Sequence, residues 1–229
     1  MTIKFRIVCA TRETAELFPT RTALGRSLAL YAPYGFIELK LFPSNSTGLP
    51  ALYNTALREA AADPAILVFV HDDILLCDYF WPKHLLDGLS SFDVVGLAGN
   101  KRRVPNQPGW PFIDQKFTPD DIENVTGIVG HGTGFPPENL TYYGPPGQGV
   151  KLLDGLLLAA RSDILLSKRI FFDERFDFHF YDMDFCRQLE AQGLRMGTCM
   201  VSVIHQSTGS YSSPGWSTAY RKYLEKWQS

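Results

Sequence analysis

An acidic motif closes one of the most apolar segments of the sequence. Residues 65–70 read as a buried strand, and His71, Asp72 and Asp73 follow it directly. In open α/β sheets, ligands bind just beyond the carboxyl ends of the strands. Carboxylates there suit a hard divalent cation and the phosphate oxygens that accompany it. The alternative is that the Asp pair only caps the following turn.

A second pair of carboxylates, Asp182 and Asp184, precedes a predicted helix at residues 185–192. Acidic side chains favour a helix N-terminus electrostatically, and this explains Asp184. Asp182 lies nearer the preceding loop, where it could project into a cleft as a base, with the surrounding aromatic residues as apolar walls. The alternative is that both carboxylates serve only the helix start.

Two further positions could contact a ligand. His205 ends a predicted strand at residues 196–204. It is either a metal ligand or a hydrogen-bonded structural residue. Asp154 and Gly155 stand at the head of an apolar run, where the Asp either forms a turn or hydrogen-bonds a hydroxyl-rich ligand. The glycine-rich residues 130–134 match neither the P-loop nor the GxGxxG pattern, so we predict a loop or lid there.

Strand and helix patterns alternate through the first half of the chain. The order βαβαβαβ predicts a mostly parallel sheet covered by helices on both faces, which is a three-layer α/β/α sandwich with a Rossmann-like N-terminal half. The predicted strands are residues 3–9, 36–42, 65–70 and 93–98. The predicted helices are residues 20–31, 49–62 and 79–89.

Residues 99–149 are rich in Gly, Pro, Asn and Thr and show little periodicity. A segment this long without regular structure is usually a lid or a binding loop. Beyond residue 149, the sequence again predicts regular helices and strands. The later predicted elements are a strand at 152–160, helices at 162–167 and 185–192, a strand at 196–204, a flexible stretch at 208–216 and a helix at 217–227.

The chain has 229 residues, of which 45% are hydrophobic and 20% are charged. These proportions exclude a disordered, collagen-like or coiled-coil chain. The net charge of −2, without a basic stripe, argues against a nucleic-acid partner. The four cysteines form no CxxC pair, and we interpret them as buried hydrophobic residues. We predict a cytoplasmic protein, because no signal peptide precedes the first strand and no apolar run could span a bilayer.

In their order, these motifs resemble the family-two-like inverting glycosyltransferases of the GT-A fold. The closer likeness is to a small bacterial branch with H-x-D in place of D-x-D at the strand end. The resemblance covers residues 3–97 and 152–205. It rests on Asn54, on Phe69-Val70-His71-Asp72-Asp73, on Leu153-Asp154-Gly155, on Phe172-Asp173-Glu174-Arg175-Phe176, on Tyr181-Asp182-Met183-Asp184-Phe185-Cys186 and on His205.

The resemblance implies one GT-A-like domain over residues 1–229. Within it, residues 1–98 would form a nucleotide-binding half, residues 99–149 a long loop or lid, and residues 150–229 an acceptor and catalytic half. The reaction implied is the inverting transfer of a sugar from a nucleoside-diphosphate donor to a hydroxyl of a glycan, a lipid-linked acceptor or a small molecule. A divalent cation, Mn²⁺ or Mg²⁺, would neutralise the diphosphate leaving group.

The resemblance also implies roles for individual residues. Asp73 matches the metal-binding Asp of the strand-end motif, and His205 matches a late His that helps to hold metal or diphosphate. Asp182 matches the catalytic base, which the helix start is expected to keep ionised. The residues assigned to the nucleotide are Thr11, Arg12, Glu13, Ser44, Asn45, Asn54, His71 and Asp72. Those assigned to the sugar or acceptor are Trp110, Asp154, Gly155 and Tyr181.

Several aromatic residues could stack on sugar or base faces, or simply pack. They are Trp110, Tyr142, Tyr143 and Trp216.

Two departures from the family pattern leave other functions open. His71 stands where the family has an Asp that contacts ribose, and Tyr181 stands where it has a Glu. One alternative is a non-catalytic protein that binds a nucleotide or a sugar on the same sheet. Another is a different nucleotide-dependent transferase, which would want a basic phosphate-binding loop near the first strand. Nucleoside-diphosphate binding that depends on Mn²⁺ would favour the glycosyltransferase.

Overall fold

The computed structural model describes residues 4–207 and 211–228. Residue 3 of the first predicted strand and residues 208–210 of the predicted flexible stretch lie outside this part. The strands are β1 (Phe5–Ala10), β2 (Ile37–Phe42), β3 (Ile66–Val70), β4 (Ile74–Leu76), β5 (Val94–Gly96), β6 (Ala98–Asn100), β7 (Val125–His131), β8 (Asn139–Gly144), β9 (Gly149–Val150), β10 (Leu152–Leu153), β11 (Leu157–Arg161), β12 (Met196–Thr198) and β13 (Val203–His205). The helices are α1 (Phe18–Arg21), α2 (Ala23–Leu28), α3 (Leu49–Glu59), α4 (Trp81–Ser91), α5 (Ser162–Ser167), α6 (Tyr181–Ala191) and α7 (Pro214–Trp227).

The main sheet has seven strands in the order β2–β1–β3–β11–β5–β12–β9. β1 lies parallel between β2 and β3, as the βαβ pattern predicts. β11 then runs antiparallel between β3 and β5, with Leu157 opposite Val70. The sequence pattern predicted a mostly parallel sheet and gave no sign of this antiparallel strand at its centre. β11 takes that central place because its residues Leu157–Ala160 are all buried and can be covered on both faces only inside the sheet.

Helices cover both faces of the main sheet. On one face, Trp81 of α4 contacts Phe5, with ring centroids 5.4 Å apart. On the other face, Tyr53 of α3 contacts Phe69 at 4.8 Å. Phe69 pairs with Val8, so it faces away from Phe5, because side chains alternate along a strand. The predicted α/β/α layering is therefore confirmed.

Three predicted strands are broken in the structure, and each break carries the chain from one sheet to the other. Residues 93–98 divide into β5 and β6, residues 152–160 into β10 and β11, and residues 196–204 into β12 and β13. At Asp154 the cause is local, since its Oδ1 accepts a hydrogen bond from the Leu156 backbone nitrogen at 2.9 Å. Such side-chain bonds to the nearby backbone compete with strand pairing.

The second sheet corrects the prediction of little regular structure in residues 99–149. Its order is β10–β6–β7–β13–β4, with β8 beside β7. The glycines of β7 hide this strand from sequence patterns, because they add no side chain to the alternation. Gly127 has φ of 117° at a register shift against β8, a conformation that side-chain-bearing residues rarely adopt.

The connection from β6 to β7 is held by the buried carboxylate of Asp120. It accepts hydrogen bonds from Asn100 Nδ2 at 2.9 Å, Arg102 Nε at 3.0 Å and Asn124 Nδ2 at 2.9 Å. Burial alone would raise the pKa of Asp120, but these hydrogen bonds outweigh it and hold the pKa well below its usual range. The segment predicted as a lid is thus tied to the end of β6.

The predicted helices are present with shifted limits. The helix predicted at residues 20–31 breaks at the extended residue Thr22 into α1 and α2. Helix α5 matches its prediction, and α6 begins at Tyr181 rather than at Phe185. In residues 4–207 and 211–228, no helix combines the length and apolar character that crossing a membrane requires. All four cysteines are free.

An aromatic clamp fixes the start of α6. The residue before the helix, Phe180, has φ of 65°, in the left-handed region that is costly for a bulky side chain. Its ring lies 5.3–5.5 Å from the ring centroids of Trp216, Tyr220 and Tyr223 in α7. We call these four residues the aromatic clamp. Their packing stabilises the strained residue from which α6 departs.

Asp184 ties the same two helices together through polar contacts. Its carboxylate is fully buried and lies 2.6 Å from Lys226 Nζ. It also accepts hydrogen bonds from Trp227 Nε1 at 2.8 Å and Gln188 Nε2 at 2.7 Å. Asp184 therefore anchors α7 on α6, a larger role than favouring a helix N-terminus.

We predict that Asp184→Asn lowers the free energy of unfolding by about 1.5–3 kcal/mol, because it removes the charge from hydrogen bonds to a buried carboxylate. Urea denaturation followed by circular dichroism measures this. Asp163→Asn is the control, since Asp163 also lies in a first helical turn but pairs with Arg161 at the surface. Its loss should cost about 1 kcal/mol or less. Equal losses for the two variants would contradict the anchoring role.

Candidate active site

Two adjoining cavities open at the carboxyl ends of β1, β2 and β3. The first, which we call the polar cavity, has a volume of about 720 Å³. It is lined by Ala10, Thr11, Arg12, Glu13, Arg21, Thr22, Ala23, Asn45, Ser46, Thr47, Gly48, Leu49, Asp72, Asp73, Asp177, Phe178 and Gln206. Asp73 and Phe178 also border the second cavity, so the two cavities meet at these side chains.

The second cavity, of about 510 Å³, is called the aromatic cavity here. Its lining residues come mainly from the segments that follow β3, β6 and β10 and from the start of α6. They are His71, Asp73, Pro108, Trp110, Pro111, Phe112, Pro119, Val129, His131, Tyr143, Asp154, Gly155, Leu156, Phe178, His179, Phe180, Tyr181, Asp182, Met183, His205, Ser207, Tyr211 and Trp216.

The polar cavity gathers most residues that the sequence assigned to a nucleotide. Thr11, Arg12, Glu13, Asn45 and Asp72 line it. Two backbone hydrogen bonds of 2.8 Å join the loops after β1 and β2. The Ser44 nitrogen donates to the Glu13 carbonyl oxygen, and the Asn45 nitrogen donates to the Thr11 carbonyl oxygen. Ser44 does not line the polar cavity, but its backbone holds the loop after β1.

Two residues assigned to the nucleotide lie elsewhere. Asn54 is buried in α3, where its amide bonds both backbone groups of Phe172, at 2.8 Å and 2.9 Å. Nδ2 also donates to Glu174 Oε1 at 2.9 Å, so both amide hydrogens are used within the chain and Asn54 is a structural tie. His71 lines the aromatic cavity instead of the polar one. It follows β3 by one residue, and its ring stacks on Phe178 with centroids 5.6 Å apart.

Strand pairing brings Asp73 and His205 together at the boundary of the two cavities. β4, which follows Asp73, pairs antiparallel with β13, so that His205 lies opposite Ile74. His205 Nε2 is 3.3 Å from Asp73 Oδ2. The contact is made through the second sheet, whereas the sequence pattern suggested one sheet edge. β13 also pairs with β7, which places His131 opposite His205.

The Asp73 carboxylate has the character of a cation ligand. Burial alone would raise its pKa, but the hydrogen bond with His205 and the neighbouring histidines lower it below its usual value. Its Oδ1 is buried and has no hydrogen-bond partner among the described residues. An ionised carboxylate with one oxygen unpartnered, beside an imidazole, fits a divalent cation that takes its other ligands from phosphate and water. In the described part of the chain, no three His, Cys, Asp or Glu side chains form a complete metal cluster.

Asp182 is the second residue of α6 and its half-buried carboxylate faces the aromatic cavity. Oδ1 accepts a hydrogen bond from the Met183 backbone nitrogen at 2.8 Å, and Oδ2 accepts one from the Gly155 nitrogen at 3.0 Å. Burial and the charge of Asp154 raise the pKa of Asp182 to about 7. Desolvation thus outweighs the backbone donors, and the pKa is raised where the helix start was expected to keep the carboxylate ionised.

Asp154 faces the same cavity but is held differently. The Trp110 indole Nε1 donates a hydrogen bond to its Oδ2. Trp110 itself is buried and packs edge-on against Tyr143, with ring centroids 4.8 Å apart. The indole thus orients a carboxylate, which corrects its predicted role as a stacking platform. Two carboxylates with different environments in one cavity are typical of acid–base sites.

Tyr181 links His71 to the backbone that holds Asp182. Its hydroxyl donates to the Gly155 carbonyl oxygen at 2.9 Å and lies 2.9 Å from His71 Nε2. Since the hydroxyl proton is used, His71 donates from Nε2. Burial is the main cause that lowers the pKa of His71, so the imidazole is neutral. A side chain at Gly155 would collide with the Tyr181 hydroxyl, so this position requires glycine.

Sequence reasoning missed several lining residues. His131 was assigned to a glycine-rich loop, whereas it ends β7 beside His205. Tyr211, half-exposed in the aromatic cavity, carried no motif, whereas Phe178 belongs to the aromatic residues expected to form apolar walls beside Asp182. Of the aromatic residues proposed to stack, Tyr143 and Trp216 line the aromatic cavity and Tyr142 does not. Only the pairing of distant strands could have revealed His131.

A model of the glycosyltransferase-like family matches residues 29–227 of this chain. No curated protein sequence matches it. Among solved structures, GalNAc-T7 with UDP, GalNAc and Mn²⁺ is similar with a TM-score of 0.54 and 10% identity, over 97% of this chain and 48% of that one. This likeness confirms the predicted GT-A-like α/β fold.

Two other solved structures are similar at lower TM-scores. S. aureus TarS 1-349 has a TM-score of 0.48 and 16% identity, over 89% of this chain and 60% of that one. A197 from STIV has a TM-score of 0.47 and 11% identity, over 92% of this chain and 98% of that one. The chain thus spans 60% of TarS 1-349 and about half of GalNAc-T7.

We predict that UDP or GDP binds at least about tenfold more tightly with Mn²⁺ than without it, and that Asp73→Asn and His205→Ala each remove this gain. Isothermal titration calorimetry of both nucleotides measures the effect. His84→Ala, which alters a histidine paired with Asp78 outside both cavities, should leave the gain unchanged. Equal affinity with and without Mn²⁺ would contradict the assignment of Asp73 and His205.

We also predict that Asp154→Asn lowers the pKa of Asp182. Removing a neighbouring negative charge favours the ionised form, so the titration midpoint should move from about 7 towards the ordinary Asp range. Carboxyl ¹³C NMR of Asp-labelled protein measures the midpoint, with Asp182→Asn identifying the resonance. An unchanged midpoint would show that burial alone sets this pKa.

Proposed function

This chain belongs to the glycosyltransferase-like family, and we propose that it transfers a sugar from a nucleoside-diphosphate donor to an acceptor hydroxyl with inversion at the anomeric carbon. The observation that carries the proposal is the junction of the two cavities at Asp73. A diphosphate bound there from the polar cavity would place its sugar beside the carboxylate of Asp182.

The polar cavity supplies groups suited to the nucleoside and its phosphates. Arg12 and Arg21 line it and can pair with phosphate oxygens. Thr11 and Asn45 offer hydrogen-bonding side chains on loops fixed by backbone bonds. Asp73 and His205 are the side chains that would hold a divalent cation, and a bound cation would offset the charge of the diphosphate.

Asp182 acts as the general base. As the acceptor oxygen forms its bond to the anomeric carbon, the bond from that carbon to the diphosphate oxygen breaks. The proton of the acceptor hydroxyl passes to the Asp182 carboxylate, and the electron pair of the broken bond leaves with the nucleoside diphosphate. One displacement from the face opposite the leaving group inverts the configuration. A pKa of about 7 lies near the optimum for a base at neutral pH.

His71 and Tyr181 position the base, in place of the acidic residues that the family pattern has there. The chain of hydrogen bonds runs from His71 through the Tyr181 hydroxyl to the Gly155 carbonyl. The nitrogen of Gly155 donates to Asp182 Oδ2. Both side chains therefore hold Gly155, the residue whose nitrogen orients Asp182. Tyr181 is too buried to contact a sugar directly.

We predict that Asp182→Asn lowers kcat by about 10²–10⁴-fold and leaves nucleoside-diphosphate binding within about twofold, because the amide keeps the shape but accepts no proton. In the unmodified protein, kcat/KM should fall about tenfold per pH unit below pH 7, since only the ionised base is active. Sugar transfer with UDP- and GDP-sugars, together with calorimetry, measures both effects.

Asp163→Asn provides the matched control for this variant. Asp163 is the second residue of α5, as Asp182 is of α6, and it also accepts a hydrogen bond from the next backbone nitrogen, at 3.0 Å. It lies outside both cavities, so its replacement should not change turnover. Turnover of Asp182→Asn equal to that of the control would refute the base assignment. Metal-dependent nucleotide binding with no turnover by the unmodified protein would favour a non-catalytic binding protein.

A further inference from the structure

The charges around the aromatic cavity differ from those around the polar cavity. The aromatic cavity is lined by the carboxylates of Asp73, Asp154 and Asp182, and none of its described lining residues is Lys or Arg. The polar cavity has Arg12 and Arg21. An anionic group that entered the aromatic cavity would lose its hydration and find no cation among these side chains.

The histidines of the aromatic cavity do not supply the missing positive charge. Their Nε2 atoms are already engaged within the chain, that of His71 with the Tyr181 hydroxyl at 2.9 Å, that of His131 with Thr141 Oγ1 at 2.9 Å and that of His179 with Ser213 Oγ at 3.5 Å. His205 is paired with Asp73 at the boundary with the polar cavity. Among the described lining residues, three carboxylates therefore face the cavity without a Lys or Arg to balance them.

Two aromatic rings with exposed surface belong to the apolar part of the wall. Phe178 is 50% exposed and Tyr211 is 45% exposed. Tyr211 packs edge-on against Phe112, with ring centroids 5.2 Å apart. The electron-rich face of such a ring attracts the C–H face of a pyranose, and the sugar's hydroxyl edges can donate to carboxylates such as Asp154.

Given the proposed function, we infer that the acceptor is an uncharged carbohydrate, whose pyranose ring lies in the aromatic cavity with one hydroxyl directed at Asp182. A polyol phosphate, a sugar phosphate or a uronic acid is excluded as the group that occupies this cavity. Tyr211 is a specificity-determining residue, because it offers an exposed ring and is not engaged in the proton transfer.

Saturation-transfer-difference NMR on the full chain tests the inference without any donor. The neutral probes are the methyl pyranosides of glucose, galactose, mannose and N-acetylglucosamine. The anionic probes are glucose 6-phosphate, glucuronic acid and glycerol 3-phosphate. We expect at least one neutral pyranoside to bind at least about tenfold more tightly than every anionic probe. We expect Tyr211→Ala to weaken that binding about 3- to 10-fold.

Tyr142→Ala is the matched control. Tyr142 is 55% exposed, similar to Tyr211, and lies on β8 outside both cavities, so its loss should leave saccharide binding unchanged. Anionic probes that bind as tightly as the neutral ones would overturn the inference. The inference would also be overturned if no neutral probe bound, or if Tyr211→Ala and Tyr142→Ala changed saccharide binding equally.

A second assay separates this inference from the proposed function. Slow hydrolysis of UDP- or GDP-sugars in Mn²⁺ reports on donor chemistry, with water as the acceptor. Mass spectrometry shows whether an added probe accepts the sugar in place of water. If only an anionic probe becomes glycosylated, the acceptor inference is overturned and the proposed transferase activity stands. The opposite result is selective binding of neutral saccharides without donor hydrolysis and without nucleotide binding. It would refute the proposed transferase activity but support the assignment of the aromatic cavity as a site for neutral sugars.

Discussion

The antiparallel pairing of β4 with β13 is the constraint on which the site depends. β4 follows the acidic end of β3 after a turn of three residues, His71, Asp72 and Asp73. β13 arrives from the far end of the chain, and its register sets His205 against Ile74. Without this pairing, Asp73 would keep its place on the main sheet but would lose its imidazole neighbour. The small second sheet is therefore what closes the boundary between the two cavities.

A second constraint acts at Gly155, where three elements meet within hydrogen-bonding distance. The turn between β10 and β11 presents one peptide nitrogen to Asp182 and one carbonyl oxygen to Tyr181. Because both the donor and the acceptor of this glycine are used, Asp182 is oriented by the backbone rather than by a flexible side chain. The cost is local strain at Phe180, offset by the packing of its ring against α7.

The sequence was most informative where local rules suffice. Alternating strands and helices predicted the N-terminal half. The motif after β3 and the family resemblance together named six of the 17 residues that line the polar cavity: Thr11, Arg12, Glu13, Asn45, Asp72 and Asp73. The sequence failed where long-range pairing overrides local pattern. Apolar runs such as residues 196–204 gave no sign that the chain changes sheets at their middle, and the glycines of β7 concealed a strand. The ionisation of Asp182 depends on burial beside Asp154, a neighbour that lies 28 residues away in sequence.

The aromatic clamp has a consequence for how the chain matures during synthesis. Phe180 receives its packing from residues 216–223, and Asp184 receives its cation from Lys226. A ribosome-bound chain that has exposed all of β1 to β13 but not yet α7 would have both cavities outlined, yet the start of α6 would be unsupported. The start of α6 would thus gain its support late, when residues 214–227 emerge.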